Sequence, residues 1–194
     1  MIELDATTLR QLQMIQLEML IEVDRICRKC NIQYNIIAGT LLGAVRHGGY
    51  IPWDDDADVA LLRSEYEKFR KACKTELDKS RFVFQDHRNT RGYRWGYGKL
   101  RRKNTLFLRE HQEHLPYMQG IFIDIFPLDG VSDNYILRSI KNLECFCVRK
   151  ILWSKVGKIA EKNFWKRQIY KVLDCIPEKL VFRYYLIMVH KASK

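Results

Sequence analysis

The chain has 194 residues, 47% of them hydrophobic, 12% aromatic and 29% charged, and a formal net charge of +11. A chain of this size and composition buries a core of its own and is neither disordered, collagen-like nor low-complexity, and no apolar run approaches the ~18 residues of a membrane span. The N-terminal MIELDATTLR carries acids and no apolar stretch, so no signal peptide is expected.

In chain order, residues 8–30 predict a long amphipathic helix. Thr7 or Thr8 is its expected N-cap, and Leu9, Leu12, Ile15, Leu17, Leu20, Ile21 and Val23 are its expected apolar face. Tyr34–Ile37 is a short β-prone run. Gly39 and Thr40 then open a second helix that holds Gly43 and ends at Gly48-Gly49. Asp54–Leu62 reads as a strand. Ser64, three residues before Glu67, forms a capping box for a helix over Ser64–Leu77. Arg81–Gln85 and Tyr93–Leu108 read as β-structure, the latter turning at Arg101–Asn104. Gly120–Leu128 is a β-prone run closed by Pro127. Tyr135 to about Lys171 is helical, and a further helix follows Pro177. Helices that flank and interrupt a group of strands predict an α/β or α+β class.

The charge is unevenly spread. Residues 148–194 hold 12 of the 34 Lys+Arg but 3 of the 23 Asp+Glu, or +9; residues 1–147 hold 22 and 20, or +2. This predicts a near-neutral body at 1–147, a basic helical extension at 148–194, and an anionic partner such as a membrane surface or nucleic acid. The six cysteines include one CxxC, Cys27 and Cys30, with no second ligand pair, so free thiols are expected.

The densest chemical signal is Trp53-Asp54-Asp55-Asp56-Ala57-Asp58. Four carboxylates so close repel one another and need either full solvation, as in an exposed acidic turn, or a cation. On a strand, Asp54, Asp56 and Asp58 share one face and Asp55 points away. Such acids can hold one hard cation, or two about 3.5–4 Å apart. Asp124 stands inside a second apolar run, where an ionised carboxylate is costly unless paired or metal-bound, whereas Asp129 at its end reads as a turn residue. Upstream, Gly39-Thr40 at a helix start is a candidate phosphate cradle, with Arg46 and His47 following on the same helix.

The segment Ala38–Phe69, AGTLLGAVRHGGYIPWDDDADVALLRSEYEKF, closely resembles the LicD family of phosphotransferases, as do Gly98–Phe107 and Gly120–Val131. The resemblance covers about residues 10–150. It implies an α+β, nucleotidyltransferase-like mixed sheet flanked by helices, with a helical C-terminal region. It implies that Asp56, Asp58 and Asp124 are catalytic. It further implies metal binding by these three with Asp54, and donor-phosphate binding by Gly39, Thr40, Arg46, His47, Lys99 and Arg101. The implied reaction is Mg²⁺- or Mn²⁺-dependent transfer of phosphocholine, or a related alcohol phosphate, from CDP-choline or another CDP-alcohol. The acceptor would be a hydroxyl of a cell-surface glycan, lipid-linked, such as lipopolysaccharide or teichoic acid. A choline group needs an aromatic surface, for which Trp53, Tyr93, Trp95 and Tyr97 are candidates. The expected location is cytoplasmic, peripheral at the inner membrane face, with no nucleic-acid partner. Family members usually carry a further Tyr/Gly/Pro-rich block near the C-terminus, and residues 150–194 lack one. Two alternatives stand beside this reading. One is nucleotidyl transfer from an NTP on the same scaffold. The other is a non-catalytic membrane- or nucleic-acid-binding module, which leaves the intact acid set unexplained.

Overall fold

Asp5 caps the first helix, α1 (Ala6–Lys29): its carboxylate accepts the N–H groups of Thr7 and Thr8, each at 2.9 Å, in this computed structural model, which describes residues 4–192. The cap is therefore Asp5 and not Thr7 or Thr8, because a carboxylate meets both the free amides and the positive end of the helix dipole. The face that α1 buries also differs from expectation. Gln13, Gln16 and Glu22 are buried with Leu12, Met19 and Val23, while Leu17 and Ile21 are exposed.

The short strand β1 (Asn35–Ile36) leads into α2 (Ala38–His47), then β2 (Asp58–Leu62), α3 (Arg63–Ala72), β3 (Phe82–Gln85), β4 (Gly98–Arg102) and β5 (Phe122–Leu128). The strands form one mixed five-stranded sheet of order β1-β2-β5-β4-β3. Only β2 and β5 run parallel; the other neighbours are antiparallel. Three helices complete the chain: α4 (Tyr135–Ala160), α5 (Phe164–Asp174) and α6 (Glu178–Ala192). The class is α+β.

Several expected boundaries move, each for a local reason. Residues 54–57 are not strand: Asp54 N–H turns back to the Ile51 carbonyl at 3.0 Å, and the carbonyls of Asp54 and Asp55 go to side chains of α1. β2 runs directly into α3, so Leu62 takes the cap position, Ser64 falls inside the first turn and the capping box is absent. β4 extends only from Gly98 to Arg102, and Tyr93–Tyr97 is irregular. Pro127 lies within β5, level with Leu61, beyond the stretch that β4 covers, so its missing N–H breaks no bond to β4. The helix from Tyr135 breaks after Ala160, and Asn163 caps its successor by accepting Lys166 N–H.

By its contacts the chain divides into two units. The first comprises residues 1–86, 97–108 and 118–128, and holds the sheet. Its core packs Val59, Leu61, Leu100, Ile123 and Ile125 against Met19, Val23 and Ile26 of α1 and Phe69 of α3. The second comprises residues 87–96, 109–117 and 129–194. Its core centres on Val148, Leu152, Val181 and Phe182, with His87 stacked on Phe182 at 4.1 Å. The division expected at 147 falls inside α4; the contacts divide at 128/129 instead. The second unit holds 18 Lys+Arg against 8 Asp+Glu, and the first 16 against 15, so nearly all the net charge belongs to the second. All six cysteines are free, and among the described residues no helix is long and apolar enough to cross a membrane.

Candidate active site

In the central strands, Val59, Leu61, Leu100, Ile123 and Ile125 all enter the core. Their alternates Asp58, Lys99 and Asp124 therefore stand on the opposite face. The register sets them in a row: Asp58 pairs with Asp124 across β2 and β5, and Asp124 pairs with Lys99 across β5 and β4. Lys99 and Asp124 form a largely buried ion pair. The Lys99 ammonium also lies 3.4 Å from the Phe122 ring centroid, a cation–π contact that steadies it.

The acidic loop sits beside this row. Among the described residues, Asp54, Asp55 and Asp56 are the acids whose oxygens converge within 4.8 Å of one another. Asp55 does not point away, because the segment is not strand. Asp58 and Asp124 lie outside this tight group but feel its charge. Burial, then Asp56 and Asp124, push the Asp58 carboxyl up to about 6. Burial and then Asp56 raise Asp54 as well, and burial outweighs the attraction of Lys99 to raise Asp124.

Helix α2 holds the loop from one side. A Cβ on Gly39 would meet Asp54 Oδ2 at 2.5 Å, so the missing side chain makes room for that carboxylate. Thr40 Oγ1 accepts the Asp58 N–H at 2.8 Å and ties the helix to the start of β2. Ala38, at φ 50°, stores local strain where the helix begins. Gly43 admits no ligand: a Cβ there would meet the Gly49 carbonyl at 2.5 Å, so it accommodates the returning loop.

Other candidates are placed elsewhere. Arg46 and His47 are in the last turn of α2, about 9–12 Å along the helix axis from Gly39 and Thr40. Arg101 is buried and donates from Nε to Gln85 and from Nη1 to the Gly120 carbonyl, which ties the strands together. The aromatic candidates are divided between the units. Trp53 is 76% exposed and edge-on to His47. Tyr97 packs at a tilt against Phe126, with the ring centroids 4.5 Å apart. Tyr93 and Trp95 belong to the second unit, where Tyr93 packs on Tyr117 and Trp95 packs on Trp153 and donates to the Tyr117 hydroxyl.

Three residues of the site carry no motif. Gln13 Nε2 donates to the carbonyls of Ile51 and Asp54, and Gln16 Nε2 to those of Asp55 and Phe122, so α1 holds the acidic loop from the other side. Their signal was two amides on the stripe of Leu12, Met19 and Val23. The Tyr50 hydroxyl is buried without a hydrogen-bond partner, and the charges of Asp54 and Asp56 act on it. A crowded set of hard oxygen donors with an unsatisfied hydroxyl beside it suits a divalent cation and its water.

A sequence model of the family described as "LicD/FKTN/FKRP, nucleotidyltransferase domain" matches residues 31–141, more than half of the chain. The chain belongs to the LicD family. The LicD match contains the acidic loop, Gly39, Thr40, Lys99 and Asp124. The lipopolysaccharide cholinephosphotransferase LicD of Haemophilus influenzae is 47% identical over 62 residues, 32% of this chain and 23% of that protein. Uncharacterized proteins of Rickettsia typhi and Rickettsia prowazekii are 51% identical over 43 residues and 57% identical over 37. Those two matches cover 22% and 19% of this chain and 14% of each relative. The chain thus matches less than a quarter of the length of each of these relatives.

Proposed function

We propose that the chain transfers an alcohol phosphate, phosphocholine foremost, from a CDP-activated donor to a hydroxyl of a cell-surface glycan. The observation that carries this reading is the parallel register that sets Asp58 level with Asp124, beside the acidic loop, in a LicD-family chain. The similarity to a lipopolysaccharide cholinephosphotransferase supports the choice of donor and acceptor.

Asp54, Asp55 and Asp56, whose oxygens converge, would offer hard oxygen ligands for Mg²⁺ or Mn²⁺, with Asp58 at the adjoining start of β2. When bound, such an ion offsets the negative charge of the donor pyrophosphate, which otherwise repels an attacking alcohol. Thr40 accepts the Asp58 N–H and keeps its hydroxyl proton for a donor phosphate oxygen. The acceptor hydroxyl attacks the distal phosphorus, the phosphorus–oxygen bond to CMP breaks, and Asp124 takes the hydroxyl proton. Burial lifts Asp124 in the direction a general base requires, and Lys99 fixes its position. Trp53, exposed and adjacent to Asp54, offers its face to the quaternary ammonium.

The test is incubation with CDP-choline and other CDP-alcohols, Mg²⁺ or Mn²⁺, and a lipopolysaccharide acceptor. CMP is expected to appear in step with acceptor modification, and Asp124→Asn is expected to abolish both. Pyrophosphate from an NTP with no CMP from any CDP-alcohol would replace this reading by nucleotidyl transfer.

A further inference from the structure

Helix α5 is apolar on the side turned away from its own unit. It packs inward through Tyr170 and through Asp174, which pairs with Arg94 at 2.8 Å and Lys158 at 2.6 Å. On the opposite side stand Trp165, Ile169 and Val172, at i, i+4 and i+7, exposed by 75%, 58% and 70%. An ordinary surface helix turns such a stripe toward the core. Lys166 and Lys171 are exposed beside the stripe, and the only acid of α5, Asp174, is turned inward. The first half of α4 also leaves Ile136, Ile140 and Leu143, again at i, i+4 and i+7, exposed.

We propose that this face of the second unit binds an anionic lipid surface. Charge selects the occupant. A second copy would bring another unit with 18 Lys+Arg against 8 Asp+Glu, and the two would repel. A nucleic-acid backbone would match the lysines but leave the Trp165–Val172 stripe in water. A bilayer with negative headgroups takes both: Trp, Ile and Val enter the boundary of the acyl chains, and lysine stems run along it with their ammonium groups at the phosphates.

The full chain is mixed with vesicles of phosphatidylcholine alone and of phosphatidylcholine with phosphatidylglycerol, and bound protein is separated by flotation. Binding is expected only to the anionic vesicles and is expected to weaken with added salt. The double variant Trp165→Ser, Ile169→Ser changes exposed side chains only, so its circular dichroism and melting temperature stay those of the parent. Its partitioning is expected to fall by about tenfold or more. Equal binding to neutral vesicles, no binding to either, or unchanged binding by the folded variant would overturn the proposal. So would a concentration-dependent dimer that the variant abolishes. The inference does not rest on the transferase reading: vesicle binding without CMP release upholds one and refutes the other, and CMP release without vesicle binding does the reverse.

Discussion

At the scale of single residues, the acidic site is a balance of charge and space. Gly39 lies in a helix, where alanine is favoured by about 1 kcal/mol, yet a Cβ there would displace the Asp54 carboxylate. Gly39→Ala is therefore expected to leave the melting temperature within a few degrees of the parent while weakening Mn²⁺ binding and turnover. Unaltered Mn²⁺ affinity in a titration would show that Asp54 does not depend on that space. Asp58 makes a prediction in pH. Its folded-state value, about 6, lies above the ordinary 3.8, so the metal-free folded chain keeps a proton that the unfolded chain releases. Its contribution to stability is thus full below pH 4 and is lost as pH rises toward 6. With the group only partly buried and its charge screened by solvent, the loss is on the order of 1–2 kcal/mol. In chelator, the stability advantage of Asp58→Asn over the parent is expected to grow across that window in urea titrations. A pH-independent difference would refute it.

At the scale of elements, the site is a loop clamped between two helices. Gln16 holds the Asp55 and Phe122 carbonyls, so Gln16→Met, which keeps the volume and removes the amide, is expected to cost about 1–3 kcal/mol. It is also expected to weaken Mn²⁺ binding; lost stability with unchanged binding would make Gln16 a packing residue only. The elements also show what the sequence made legible. Asp58 and Asp124 could be read as strand acids because each is followed by apolar residues at the right period. The loop before Asp58 could not, since a run of carboxylates looks the same on a strand as on a turn. Its true path depends on donors from α1, some forty residues upstream in the sequence. Lys99 and Arg101 look alike in sequence, with a single residue between them. Only the register reveals that one meets Asp124 while the other braces Gln85. Leu17 and Ile21 read as core because hydrophobicity alone cannot show that α1 turns amides inward to carbonyls.

At the scale of the whole molecule, the chain passes between its two units five times, at 86/87, 96/97, 108/109, 117/118 and 128/129. A fragment ending at residue 128 keeps every strand but strands residues 87–96. Arg94 then loses Asp174 and the Ile151 carbonyl, and Trp95 loses Trp153. Such a fragment is expected to be poorly soluble and to melt well below the full chain; an equal melting temperature would show that the lost contacts of residues 87–96 do not matter to it. The sheet has a related peculiarity in the order of its strands. β5 is last in sequence and central in space, so a chain emerging from the ribosome carries β1–β2 and β3–β4 as separate two-stranded pieces. Each piece keeps an open edge until residue 128 has been made, and open edges recruit strands from other chains. Asp58 lies on one waiting edge and Lys99 on the other. Charged side chains on an open edge oppose its pairing with a foreign strand, and these two stand where the unfinished sheet is open.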